Sequence, residues 1–582
     1  MKYLILPEPK SVTYGNGAFN LVNCAVFVEN GLDPRVVRAA NELKEKIAQK
    51  TGCFHKFAVI SSDETGGVYI KKDANIKSEG YVLDVCSDKI TVTGGDDAGC
   101  FYGIKTLLQI LSGADLTVSA LTIKDAPDLP YRGFYHDATR GRVPTVEGVK
   151  KLVDLIASFK MNSLQLYVEH SFDFAEFRSS DRTEDDYLTA EEMLEIDEYC
   201  YNNFIDFIPS LSTFGHLYEL LMKPEYQHLC ELENFEPESH FWRERMLHHT
   251  IDPSNPESFE VVKSLIDQFA PLFRSKYFNI CCDETFDLCR GRNEGKDSAQ
   301  VYIGFVKKII GHVTQMGKTP MMWSDIALKH PELLPQIPAG TIVLNWNYCA
   351  DPNTSSVTRI HDMGCTQMVC PGNISWKTLV EFVDKSVSNI SQMVRAGFEN
   401  GVVGMLNTNW GDFGHPAHPE CTYYGTVFGA AMSWNVDTQT DDNYNRAVEK
   451  FVYQTDKDVH AILLALGAAQ RTAGWGQFFE WVSSRKAEAF EAEEKEIESS
   501  VKACQKIYSE LKDCAGPLYF LGITARGLEL FNVAVLEIKR NGAVSEAWKQ
   551  LADIWFADYE KCWLSSAKQS ELGEIKKFIS KF

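Results

Sequence analysis

The sequence predicts a (β/α)₈ barrel, an α/β fold, with a small α+β domain before it and a helical domain after it. Three observations carry the prediction. Eight apolar runs alternate with amphipathic helical patterns over roughly 300 residues, as the closed parallel barrel requires. A segment of mixed strand and helix patterns precedes them, and strand signals vanish after Val436. These patterns divide the chain into residues 1–125, 126–436 and 437–582.

The bulk numbers agree with a folded, multidomain protein. At 582 residues the chain exceeds what one hydrophobic core usually supports. Hydrophobic residues at 45% and charged residues at 24% are globular values and exclude disorder, collagen-like repeats and coiled coil. Lys+Arg 58 against Asp+Glu 80 gives a net charge of -22. Such a field repels phosphate polymers and anionic membranes, so neither nucleic acid nor membrane is an expected partner. A neutral substrate is compatible with it. The opening MKYLILPEPK has too short an apolar stretch for a signal-peptide core, and no long apolar run is read elsewhere. Sixteen cysteines are scattered without a framework, several in apolar surroundings (Cys86, Cys281, Cys282, Cys370). The expectation is a cytoplasmic protein with free thiols.

In the first segment, Pro34 to Lys50 puts Val37, Leu43 and Ile47 on one helical face, and VYIKK and YVLDVCSDKITVTGG read as strands. GGDDAGCFYGIKTLLQIL is a Gly-rich turn opening a helix. It lacks a Walker or dinucleotide spacing, so it reads as a strand-to-helix connection. The polar, Pro-rich TIKDAPDLPYRG marks the boundary.

Barrel strands are expected to end near Asp137, Glu169, Ser212, Asp283, Asp325, Tyr348, Pro371 and Trp410. Thr145 can cap a first helix with Val149, Leu152, Val153 and Ile156 on one stripe, and Thr189 with Glu192 offers a capping box for another. After Val436 every segment is amphipathic and charged. The acidic run Glu488 to Glu498 reads as an exposed, ion-paired helix face.

Barrel active sites form at the C-terminal ends of the strands. Here those ends present His136, Asp137 and Arg140; Glu169 and His170; Thr213 and His216; Asp283 and Glu284; Trp323 and Asp325; Trp346 and Tyr348; Asn373 and Trp376; Trp410 and Asp412. Hydrogen-bonding groups interleaved with indoles suit a polar ring with an apolar face, the shape of a sugar. Glycosidic cleavage usually takes two carboxylates facing each other across the anomeric carbon. The conspicuous pair here, Asp283 and Glu284, is adjacent, and neighbours in a strand point to opposite faces. Only where the strand turns into its loop can both reach one pocket, and then from the same side of the ring. A substrate bearing its own nucleophile, a 2-acetamido oxygen, solves that problem.

These residues also carry a resemblance. YFNICCDE is similar to the Asp-Glu strand of glycoside hydrolase family 20, the β-N-acetylhexosaminidases. YRGFYHDATRG, LSTFGH, MMWSD and NTNWGD resemble other strands of that family in the right order. The likeness covers roughly residues 1 to 435. It implies an exo-acting, retaining enzyme that removes terminal β-linked N-acetylhexosamine from an oligosaccharide or glycoconjugate through an oxazolinium intermediate, without cofactor or metal. Under it Glu284 is the general acid and base, its pKa raised by burial and the neighbouring anion, and Asp283 orients the acetamide N–H. Arg140, Asp412 and His216 bind hydroxyls, and Trp323, Trp346 and Trp410 wall the acetamide methyl. Tyr348 is the candidate for the acetamide oxygen, and Glu169, Asp325 and Trp376 complete the substrate set. Cys281 and Cys282 stand where the family has glycines, and LQLYVEH replaces its His-rich second strand. Sugar configuration, linkage, homodimer formation and the role of the helical tail stay open.

Two rivals remain. A metal-dependent barrel hydrolase would draw on His136, His170, His216 and Asp283, but no H-x-H pair ends the first strand. His248 and His249 read as solvated, and Cys281 and Cys282 as core residues. A sugar-binding barrel without chemistry would keep the aromatic pocket and need neither carboxylate.

Overall fold

The computed structural model describes residues 3–582 apart from 23, 62–65, 179–181 and 248. The first seven strands are β1 (Ser11–Asn20), β2 (Ala25–Glu29), β3 (Phe57–Ile60), β4 (Gly67–Lys72), β5 (Tyr81–Val85), β6 (Ile90–Gly94) and β7 (Thr117–Asp125). They form one mixed sheet in the order β1-β7-β5-β6-β4-β2-β3. Helices Pro34–Thr51 and Asp97–Gly113 pack on it. The second starts at Asp96, whose side chain accepts from Gly99 N, so the Gly-rich turn is the expected strand-to-helix connection.

The barrel follows: β8 (Tyr131–Asp137), β9 (Ser163–Val168), β10 (Asp206–Leu211), β11 (Tyr277–Asn279), β12 (Thr319–Trp323), β13 (Ile342–Trp346), β14 (Gln367–Cys370) and β15 (Gly404–Asn409). All eight pair in parallel, and β8 joins β15 to close the ring. Every residue of β9 and β15 is buried, which is why the runs carry almost no polar alternation. The first barrel helix, Val146–Ser158, begins at Thr145, and Thr189 and Glu192 form a reciprocal capping box at the start of Ala190–Asn202.

The base of the barrel docks on the first sheet through buried charges. Arg132 on β8 donates to Glu79 at 2.7 Å and to the Tyr102 hydroxyl at 3.1 Å. Lys160 pairs with Asp125 at 3.3 Å. These groups lie at the N-terminal ends of the barrel strands and tie the barrel to the first sheet.

Past the helix Tyr423–Trp434 the chain is helical, from Asp442–Phe451 to Leu572–Ile579. Arg540 pairs with Glu494 and Glu498, the expected ion-paired face. One helix departs from the reading of no long apolar run: Pro517–Asn541 is long and apolar enough to cross a membrane by composition. Its apolar window is 78% buried inside the protein, as a core helix is.

Candidate active site

The backbone around Asp283 resolves the difficulty of two neighbouring carboxylates. β11 ends at Asn279, and after Ile280 the residues Cys281, Cys282 and Glu284 take φ of 56°, 64° and 47°. Left-handed backbone costs a non-glycine residue on the order of 1–2 kcal/mol, so the coil must be held. Cys281 N donates to Asn279 Oδ1 at 3.0 Å, Trp323 N donates to Cys281 O at 3.0 Å, and the Tyr302 hydroxyl donates to Cys282 O at 2.7 Å. Glu284 N donates to Asp325 Oδ2 at 3.1 Å. Freed from strand alternation, both carboxylates line one pocket.

That pocket has a volume of about 130 Å³ and is lined by Arg140, Met246, Asp283, Glu284, Trp323, Trp346, Tyr348, Trp376, Trp410 and Asp412. Trp323 and Trp410 sit 5.9 Å apart on the aromatic top layer of the barrel interior, with Tyr135 and Tyr167 beneath. Trp346 stacks on Tyr348 at 5.0 Å and Tyr348 meets Trp376 at 5.3 Å, forming a second wall. The Tyr348 hydroxyl accepts from Trp410 Nε1 at 2.8 Å. Its own proton is therefore directed elsewhere.

The polar wall comes from the loops after β8 and β15. Gly141, at φ 114°, lies against Gly414, where an added Cβ would fall 2.6 Å from backbone atoms. This close crossing sets Arg140 Nη1 3.0 Å from Asp412 Oδ1. Asp137 shapes both loops: Oδ1 accepts from Thr139 N and Arg140 N, and Oδ2 from Gly411 N. The Arg140 guanidinium also lies 5.0 Å over the rings of Tyr167 and Trp410, a cation–π seat. Burial pushes the Asp412 and Glu169 carboxyls up, with Arg140 pulling against it.

His216 stands behind the acid pair, its Nε2 3.3 Å from Glu284 Oε2 and 3.6 Å from Asp283 Oδ2. Burial alone would make it neutral, but the two carboxylates raise its pKa well above the ordinary value. Glu284 shows the reciprocal effect and corrects the expectation of a raised pKa. Burial does push it up, but the His216 imidazolium outweighs burial and holds the carboxyl below its usual range. Beside it Asp325 is raised, as Asp412 and Glu169 are, here through burial and the charge of Asp283.

Three of the residues expected to touch substrate stand one layer back. Asp325 holds the Glu284 backbone, Glu169 lies 3.6 Å behind Arg140 Nε, and His216 backs the acids. The others in the set line the pocket. Met246 was not anticipated; it comes from the long excursion between β10 and β11, and an excursion of that length at the catalytic end of a barrel is itself a signal.

His136 and His170 do not converge on Asp283, and burial lowers them to about 4 and about 3. His249 is buried, not solvated, with Nε2 against the Glu244 carbonyl; His248 lies outside the described residues. Cys86 is only half-buried, whereas Cys281 and Cys282 are core. Among the described residues, His216, Asp283 and Glu284 are the one group whose donor atoms converge within 4.8 Å. An ion there would need the neutral imidazole, whereas the two carboxylates raise the pKa of His216.

Family models for "Glycosyl hydrolase family 20, domain 2" and "Glycosyl hydrolase family 20, catalytic domain" match residues 2–126 and 129–381. A beta-hexosaminidase of Porphyromonas gingivalis is 26% identical over 359 residues, 55% of this chain and 45% of the relative. A lacto-N-biosidase of Bifidobacterium bifidum is 25% identical over 339 residues, 55% of this chain and 29% of the relative. The chain thus spans less than half the length of these curated relatives. The crystal structure of a Flavobacterium johnsoniae chitobiase matches with a TM-score of 0.66 at 18% identity, covering 97% of this chain and 96% of that one. That likeness extends the shared fold through the C-terminal helices.

Proposed function

The chain belongs to glycosyl hydrolase family 20, and from that premise we propose that it is an exo-acting β-N-acetylhexosaminidase working by substrate-assisted, retaining hydrolysis. One observation carries the mechanism. The pocket's carboxylates are Asp283 and Glu284, side by side, and Asp412, which is already engaged by Arg140. A protein nucleophile opposite the acid is therefore lacking among the described lining residues, and the 2-acetamido group of the sugar takes that role.

In the first step Glu284 gives its proton to the glycosidic oxygen, the bond from the anomeric carbon to that oxygen breaks, and the acetamide oxygen closes on the anomeric carbon. Before that step the proton sits on His216 Nε2, 3.3 Å from Glu284, and passes to Glu284 as the glycosidic oxygen takes it, leaving the imidazole neutral until the second step returns a proton. Asp283 accepts from the acetamide N–H and offsets the charge of the oxazolinium ion. Tyr348, with its hydroxyl already accepting from Trp410, donates to the acetamide oxygen. In the second step Glu284 takes a proton from water, water attacks the anomeric carbon, and the ring opens with the β configuration kept. Trp323, Trp346 and Trp410 enclose the acetamide methyl, whose burial contributes about 1 kcal/mol. Arg140 and Asp412 bind hydroxyls through charge-assisted hydrogen bonds, and Trp376 offers a face at the rim.

The substrate class is an oligosaccharide or glycoconjugate ending in β-linked GlcNAc or GalNAc. The free state of all sixteen cysteines supports a reducing, cytoplasmic setting. The test is turnover of chromogenic β-N-acetylglucosaminide and β-N-acetylgalactosaminide by the wild type and by Glu284→Gln. Turnover by the wild type alone supports the proposal; sugar binding without turnover in the wild type would replace it with a lectin.

A further inference from the structure

The histidine behind the acid pair is tied to the far end of the chain. His216 Nδ1 faces the backbone carbonyl of Arg245 at 3.4 Å. A carbonyl only accepts, so this contact places a hydrogen on Nδ1 and aims Nε2 at Asp283 and Glu284. At 3.4 Å the hydrogen bond is near its limit, so a displacement of a few tenths of an ångström decides whether it exists.

Arg245 belongs to the short helix Phe241–Leu247, which also carries Met246 into the pocket. This helix also leans on the C-terminal helices: the buried Trp242 ring packs 6.3 Å from Trp475, 6.4 Å from Phe479 and 6.0 Å from Phe578. Glu571 locks it there. One carboxylate oxygen accepts from Arg245 Nη1 at 2.5 Å and the other from Trp242 Nε1 at 2.7 Å. The remaining arms of Arg245 go to Glu219, at 2.9 and 2.6 Å. The main chain of Glu571 makes a separate contact, its N–H donating to Gly141 O at 3.1 Å beside Arg140.

We propose that Glu571, which lies outside both family-model matches, is a positioning residue for the active site: it holds Arg245 so that the Arg245 carbonyl fixes His216 toward Asp283 and Glu284. The proposal rests on the hexosaminidase reading for its kinetic consequence, though not for its geometry. Because the side chain reaches the His216 loop and the main chain reaches the Arg140 loop, a side-chain substitution disturbs the acid and spares the hydroxyl clamp. The signature is a fall in kcat with KM kept.

The test compares the full-length wild type with Glu571→Gln, Glu571→Asp and Arg245→Lys. It reads kcat and KM on a chromogenic N-acetylhexosaminide, Tm, and the downfield proton resonance of His216 Nδ1–H, assigned through its loss in His216→Gln. Glu571→Gln is expected to lower kcat about tenfold or more with KM within about twofold, as outer-layer partners of catalytic groups do, and to lose the resonance, while Glu571→Asp regains much of both. A folded Glu571→Gln with unchanged kcat and resonance would overturn the proposal, as would a loss of activity that only follows Tm across all three variants. If Glu571→Gln does not fold, Arg245→Lys decides on the same readouts. A wild type that turns over no N-acetylhexosaminide defeats the functional reading, and the His216 resonance still decides the positioning.

Discussion

His216 and Glu284 face each other: Nε2 lies 3.3 Å from Oε2, the histidine is shifted up and the carboxyl down. Against burial, Asp283 and then Glu284 raise the histidine, and the histidine in turn lowers Glu284. The acid is thus loaded through its neighbour and not by an elevated pKa of its own.

His216→Asn therefore moves the pH profile in a defined direction. In the wild type the reactive proton leaves the pair at the pKa of His216, well above 6.5. Without the imidazole it resides on Glu284 alone, relieved of the pull that lowered it but still a carboxyl. The basic limb of kcat/KM is expected to move to lower pH by about one unit or more. Stopped assays across pH 4 to 9 measure this; an unmoved limb would show that the histidine does not carry the proton.

Asp283→Asn replaces the acceptor of the acetamide N–H and removes the charge opposite the oxazolinium ion. The expected loss in kcat is about a hundredfold to a thousandfold, with Tm nearly kept, since the amide fits the same space. A loss of only a few-fold would mean that Asp283 does not orient the attacking group.

Arg140→Lys keeps a cation but loses the planar fork that meets Asp412 at 3.0 Å and sits over Tyr167 and Trp410. Lost charge-assisted bonds are worth about 2 kcal/mol, so kcat/KM is expected to fall about thirtyfold, mostly through KM. Steady-state kinetics check the split between the two constants.

Prolonged dialysis against EDTA is expected to leave kcat unchanged. Loss of activity restored by zinc or manganese would make His216, Asp283 and Glu284 a metal site.

Much of this architecture was legible in the residues. β9 and β15 are buried along their whole length, so their composition betrays a parallel barrel, and Thr189 with Glu192 announces a helix start by chemistry that is local to four residues. Seven strand ends followed from the same runs, and with them most of the pocket wall; the strand expected to end near Asp283 stops at Asn279. What escaped depends on distant groups. Cysteine has no preference for positive φ, so nothing local in Cys281 and Cys282 foretells the coil that turns both acids into one pocket; Asn279, Trp323, Tyr302 and Asp325 impose it. The direction of the Glu284 shift needed the position of His216, and the partnership of Glu571 with Arg245 spans 326 residues.

The attack by the substrate's own acetamide is tested most directly with chromogenic substrates whose acetyl group carries none, one, two or three fluorines. Each fluorine withdraws electrons from the carbonyl oxygen while changing its size little. If that oxygen is the nucleophile, kcat falls steeply and progressively along the series; a flat series would mean that the anomeric carbon is attacked by something else.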